Sequence, residues 1–354
     1  MFQRYTISNH PDYYEAWPDV ALCPDNNRMV CVYIEKTHHA VGTHSIVVCS
    51  ISDDRGKTWS RSYITPPSDG KGFWYDSPRI TLLKNGTLAA VIPTKAAQNE
   101  GMSECMKAEL WISADNGETW QYSGPLPGSS IAPDKLRELK NGRLIYSSHY
   151  RVNDELGQFL CYSDDGGKTW SEEVTVARKK GYQFCEGCIV ELENDTLVCL
   201  LRENSHLGLP CMKTISRDNG ETWGPVTEFP LPGCHRPIGG ILQDGSVLIT
   251  FRLCQGGNGW LGWWTQNFMG AFTNVESLLG EGYRDCQTKI FPLDYDRSPF
   301  SDCGYSGWVQ FPDGMIYAVN YIVDDAYDKG QIRGYAFEPG DFLIPERKCC
   351  VSGR

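Results

Sequence analysis

Apolar and polar residues alternate along this chain in short runs, and the runs come in pairs around a polar turn. Six such pairs stand out: PDVALCPDNNRMVCVYI (18–34), SPRITLLKNGTLAAVI (77–92), APDKLRELKNGRLIYSS (132–148), CEGCIVELENDTLVCLLR (185–202), CHRPIGGILQDGSVLITFR (234–252) and CGYSGWVQFPDGMIYAVNY (303–321). β-Branched and aromatic residues flank turns such as Asn-Gly, Asp-Gly or Asn-Asp, the signal for two antiparallel strands joined tightly. A helix would not tolerate that punctuation.

Between the hairpins an eight-residue phrase recurs: SDDRGKTW at 52–59, SADNGETW at 113–120, SDDGGKTW at 163–170 and SRDNGETW at 216–223. The spacing, about fifty residues, is that of propeller blades. The phrase is expected to follow the third strand of a blade. Its Asp would accept backbone N–H groups, its Gly would supply a positive φ, and its Trp would pack on the blade. These acids read as structural, because they recur while a catalytic group is needed once. The fifth hairpin lacks the phrase. Its outer part is expected in GWLGWWTQNFMGAF (259–272), read mainly as packing, with a sugar-stacking platform as the alternative. A last strand is expected in IRGYAFEPGDFLI (332–344), with the N-terminal segment helping to close the ring. The fold expected is therefore all-β, a six-bladed β-propeller over residues 1–345, followed by a polar tail at 346–354.

Composition narrows the partners. Over 354 residues the net charge is -11, which argues against nucleic acid, because phosphate neutralisation needs a basic stripe. A local cluster of arginines remains compatible with a small anionic ligand. The start, MFQRYTISNH, has no apolar run, and no stretch approaches a membrane span, so a cytoplasmic protein without membrane contact is expected. Fifteen cysteines, an odd number, fit reduced and mostly buried thiols. CEGC at 185–188 has no second pair at metal-site spacing, and neither a metal nor another cofactor is expected.

Chemistry is sought where inner strands begin, since side chains there converge on a propeller axis. Glu186 lies nine positions before Asp195, Arg236 nine before Gly245, and Tyr305 nine before Gly314. Three reactive residue types thus share one phase in three blades.

The repeated S-x-D-x-G-x-T-W phrase is the Asp box, and four copies among six hairpins resemble the sialidase superfamily of six-bladed propellers. Glu186 before IVELENDTLVCLLR, with Arg202 ending that hairpin, and Tyr305 in GYSGWVQFPDG resemble that family's motifs. The resemblance implies that Tyr305 is a nucleophile and Glu186 the base that takes its phenolic proton. A phenol of ordinary pKa near 10 needs such help at neutral pH. Arg202, with Arg236 and Arg252, would hold a sugar carboxylate through forked hydrogen bonds. Three family positions do not transfer. Ala16-Trp17-Pro18 stands where an Arg-Ile-Pro motif belongs, no Asp lies between Glu35 and Asp53 where the acid/base is expected, and LCQGGNGWLGWW carries no arginine.

The implied activity is exo-hydrolysis of a terminal, acidic sugar from an oligosaccharide or glycoside, with His44 or Asp19 as proton donor and Asp76 as a further funnel acid. A second reading is a lyase acting on a uronic acid, with His44 or His149 as base and the arginines on the carboxylate. A third is a non-catalytic glycan-binding propeller; a base beside a phenol weighs against it.

Overall fold

The six hairpins become the two inner strands of six blades. The computed structural model describes residues 1–39, 44–96, 106–256 and 265–342, and its strands form six antiparallel sheets, five of four strands and one of five. Blade 1 runs through Tyr14–Leu22, Met29–Lys36, Ser45–Ser52 and Ser62–Tyr63. In blade 2 the innermost strand is split, Phe73–Tyr75 and Arg79–Leu82 both pairing with Leu88–Ala96. Ser77-Pro78 interrupts it, because proline offers no N–H to a ladder. Blade 6 holds Cys303–Gln310, Ile316–Ile322 and Gln331–Phe337 and is completed by Gln3–Ser8, with Tyr5 opposite Gly334. The N-terminus thus closes the ring. The last strand stops at Phe337, earlier than the sequence pattern suggests, and Pro339–Asp341 forms a 3-10 turn. The residues of the expected tail lie outside the described ones.

Each Asp box follows the third strand of its blade and is wired alike. In the first, Ser52 Oγ donates to Asp54 at 2.9 Å, Asp54 accepts the Thr58 N–H at 2.9 Å and its hydroxyl at 2.7 Å, and Trp59 Nε1 donates to Gly56 O at 3.1 Å. Asp115, Asp165 and Asp218 accept the same Ser and Thr groups. The glycine is required twice over. Gly56 has φ +87°, and a Cβ there would lie 2.1 Å from the Tyr317 ring of blade 6, whose hydroxyl donates to Gly56 O at 2.8 Å. The box therefore clasps neighbouring blades.

Blade 5 has no box. A short helix, Val275–Leu279, follows its third strand Thr265–Thr273, and buried Lys213 of blade 4 donates to the carbonyls of Ser277, Leu278 and Gly280 at 3.0, 2.7 and 2.6 Å. A lysine at helix-end carbonyls replaces the Asp turn as the local tie. Of the Trp-rich segment, 259–264 lies outside the described residues, and the remainder is this third strand.

Around the axis the blades interlock through buried polar groups. Asp19 accepts the Ile80 N–H of blade 2 at 3.0 Å, and Asp134 accepts the Ile189 N–H of blade 4 at 3.1 Å. Cys188 Sγ accepts hydrogen bonds from the Gly239 N–H of blade 5 at 3.3 Å and from Arg137 Nη2 at 3.2 Å, so one thiol of the CEGC pair serves blade packing.

Candidate active site

Four innermost strands lose ladder register at the same place: between Ala16 and Asp19, Cys185 and Cys188, His235 and Ile238, and Gly304 and Gly307. In each gap one non-glycine residue has positive φ: Trp17 at 55°, Glu186 at 50°, Arg236 at 49° and Tyr305 at 54°. A bulge of this kind re-aims a side chain, and strained backbone of this kind clusters at functional sites. Three of the four are the residues that share the nine-position phase. The fourth, Trp17, stands nine before Asn26 and answers to the same count.

The structure brings these residues together. Tyr305 Oη donates to Glu186 Oε1, which also accepts from Arg202 Nη1 at 2.8 Å. The Arg236 and Arg252 guanidinium carbons lie 5.1 and 5.6 Å from the Tyr305 ring centroid, and the Trp17 ring is 6.2 Å away. Arg236 is fully buried and donates to the carbonyls of Ala132 and Pro133, tying blade 5 to blade 3 across the axis. Arg252 donates to Cys303 O at 3.3 Å and contacts His235 Nδ1 at 3.4 Å. The Glu186 N–H donates to His149 Nδ1 at 3.1 Å, which fixes the bulge and leaves Nε2 to carry the proton of the neutral ring.

Electrostatics follow from this packing. Burial would raise the Glu186 carboxyl, but Arg202, Arg252 and Arg236 outweigh it and hold the group well below the usual carboxylate range. Burial, reinforced by the Glu186 charge, pushes the Tyr305 phenol up against the three arginines. The proton of the pair therefore sits on Tyr305 and the charge on Glu186. Burial pushes His149 down to about 3 in spite of Glu186, and takes His235 well below its ordinary value, with Arg202 and Arg252 adding to the effect. Glu186 Oε2 and the Nε atoms of Arg202, Arg236 and Arg252 have no hydrogen-bond partner among the described residues. Orphaned buried groups of this kind cost about 1–3 kcal/mol each, so this cluster is held at a cost to stability.

The remaining sequence candidates make no hydrogen bond to Glu186 or Tyr305 among the described residues. Asp76 is buried and ion-paired with Lys95; burial would raise its carboxyl, but Lys95 and Lys36 hold it below its ordinary value. Lys36 Nζ sits 4.9 Å from the Trp17 ring, which links this cluster to the axial bulges. Asp19 is fully buried; its oxygens accept from the Val20 and Ile80 N–H groups at 3.0 Å and face Arg79 at 3.5 Å and Lys135 at 3.4 Å. No hydrogen bond joins it to Glu186 or Tyr305 among the described residues. His44 Nε2 lies 2.9 Å from Glu35, and its ring stacks on Tyr13 at 4.6 Å, in a network with Arg61 apart from the axial cluster.

The BNR repeat-like domain family matches residues 75–256, and the BNR/Asp-box repeat matches residues 50–61. The chain belongs to this family, an Asp-box propeller of the sialidase superfamily. That superfamily is glycoside hydrolase-like. A sialidase of Paraclostridium sordellii is 24% identical over 239 residues, covering 57% of this chain and 55% of that one, so the chain aligns with about half of that relative's length. A Dyadobacter fermentans protein of unknown function superposes with a TM-score of 0.77 at 21% identity, over 95% of this chain and 99% of that one. An α-L-arabinanase of Penicillium chrysogenum, complexed with arabinobiose, superposes with a TM-score of 0.67 at 16% identity, over 96% and 99% of the chains. These two likenesses speak to the propeller fold.

For a BNR propeller the residues missed by sequence reasoning are instructive. Trp17 was within reach of the phase count. Lys36, Lys95 and His235 were not, since each becomes special only through what packs against it.

Proposed function

We propose that this chain is an exo-acting glycoside hydrolase that releases a terminal acidic sugar, with Tyr305 as nucleophile and Glu186 as its base. The observation that carries the reading is the hydrogen bond from the Tyr305 hydroxyl to a Glu186 carboxylate kept ionised by arginines. As the phenolic oxygen attacks the anomeric carbon, Glu186 takes the phenolic proton and the bond to the leaving oxygen breaks. Water then displaces the tyrosine, and Glu186 returns the proton. Arg202, Arg236 and Arg252 place positive charge around the point of attack, which suits a substrate carboxylate better than a neutral sugar.

The lyase reading has less behind it. His149 uses Nδ1 to accept from backbone, so its other nitrogen is a donor in the neutral ring, and His44 is engaged with Glu35. A binding propeller has no use for a phenol paired with a base.

The test is incubation of the purified protein with sialosides and uronate-terminated oligosaccharides, beside Tyr305→Phe and Glu186→Gln. Release of sugar with addition of water, lost in both variants, is the expected result. An ultraviolet-absorbing product without added water would establish elimination instead, and silence across the panel would leave binding as the function.

A further inference from the structure

We propose that His39, held by Asp302, is the group that protonates the departing glycosidic oxygen. The inference rests on the hydrolase reading above, which needs a proton donor that neither Asp19 nor His44 is placed to supply.

His39 follows the first hairpin, in the same THHAVGTH stretch as His44. Its Nδ1 lies 2.5 Å from Asp302 Oδ2, and its ring meets Trp17 edge-on at 5.3 Å. Trp17 in turn neighbours Tyr305, so the histidine and the nucleophile flank one indole. Asp302 directly precedes the strand that carries Tyr305 and is fixed from several sides. Tyr14 Oη donates to one oxygen, Tyr321 Oη donates to the other at 2.8 Å, and the Asp302 N–H donates to Asp296 at 2.8 Å. A carboxylate so held orients the imidazole through Nδ1 and leaves Nε2 to serve a ligand. The groups around His39 are Asp302, Tyr14, Lys36, whose ammonium donates to the His39 carbonyl at 3.3 Å, and His38, Asp328 and Tyr327, which line the same cleft.

The histidine is also reachable. Its side chain is 41% exposed, and it lines a cleft of about 490 Å³ with Tyr14, Gln266, Phe300 and Tyr327. That volume falls within the roughly 300–1,000 Å³ of small-molecule sites. Tyr327, which also lines this cleft, is 75% exposed, an aromatic face suited to a sugar.

The step balances. Protonated His39 gives its Nε2 proton to the glycosidic oxygen as that bond to the anomeric carbon breaks, while the Tyr305 oxygen bonds to the carbon and Glu186 takes the phenolic proton. In the second half, neutral His39 takes a proton from the attacking water, the bond to Tyr305 breaks, and Glu186 reprotonates the phenolate. The sum is one glycoside and one water giving one free sugar and one alcohol.

Leaving-group dependence tests this in a way a structural role cannot imitate. His39→Gln and Asp302→Asn are assayed beside the wild type on methylumbelliferyl N-acetylneuraminide, whose phenol leaves readily, and on sialyllactose, whose alkoxide needs a proton. His39→Gln is expected to lose roughly 100-fold or more in kcat on sialyllactose and less than about tenfold on the aryl glycoside. Asp302→Asn, which removes the charge that anchors Nδ1, is expected to show the same ordering of losses at smaller size. Imidazole should restore cleavage of sialyllactose by His39→Ala, which separates lost chemistry from lost folding. Equal losses on both substrates would overturn the role of His39 alone. A wild type inert on both substrates and on the wider panel would remove the hydrolase reading, and this inference with it.

Discussion

The rim and the axis of this propeller carry the same kinds of side chain and use them in opposite ways. At the rim, the Asp-box carboxylates are saturated by their own turn: Asp54 takes the hydroxyls of Ser52 and Thr58 and the N–H groups of Lys57 and Thr58. At the axis, Glu186 has one oxygen crowded by Tyr305 and Arg202 and the other without a hydrogen-bond partner among the described residues. A saturated carboxylate contributes stability and has little left to offer a ligand. An unsaturated buried one costs stability and is available for chemistry. Repetition marks the first kind; the single acid in a shared bulge phase marks the second.

The sharpest way to break this comparison is at Tyr305. Tyr305→Phe should lower kcat by about a thousandfold or more, roughly 4 kcal/mol of barrier, with a near-unchanged melting temperature. A Phe variant that retained activity would make the axial cluster another structural knot.

Asp19 supplies the next test, because it is an axial acid that behaves like a rim acid. Asp19→Ala leaves the buried Arg79 guanidinium without its carboxylate, and the expected loss is about 3–5 kcal/mol, read from urea unfolding. Lost activity in a variant of undiminished stability would return Asp19 to the chemistry.

Smaller effects belong to the rim. Asp218→Ala removes the acceptor for the Thr222 N–H and hydroxyl and for the Ser216 hydroxyl, much as a lost helix cap does, and should cost about 1 kcal/mol while kcat stays as it was. The smallest signal is in acid. Hydrogen bonds from Thr58 and Thr169 hold Asp54 and Asp165 at about 2, below the ordinary value near 3.9. A depressed folded pKa gives stability that is present above the unfolded value and fades as pH falls through the folded one. The stability gap between wild type and Asp54→Ala should therefore be constant above about pH 4 and close towards about pH 2.

Much of this was legible in the chain. The hairpins, the Asp boxes and the ring of six follow from alternation and turn residues, which act over a few positions and leave their mark locally. Glu186, Arg236 and Tyr305 were also legible, because a bulge at a fixed offset from a turn is a local feature repeated in register. The limits show at Asp19 and His44, which fitted a funnel acid by position. Asp19 is drawn into the blade interface by the Ile80 N–H, and His44 is drawn to Glu35, neither of which sequence spacing reveals.

The sequence by itself determined the blades and the phase of the axial residues, since both depend on backbone periodicity and turn chemistry. Only the tertiary structure decided which charges meet. Arg252 beside Tyr305, Lys95 on Asp76 and Asp302 behind His39 join residues 53, 19 and 263 positions apart. Coulomb and hydrogen-bond forces act through space over a few ångströms, and the ring closure that brings such distant positions together leaves no local trace in the sequence.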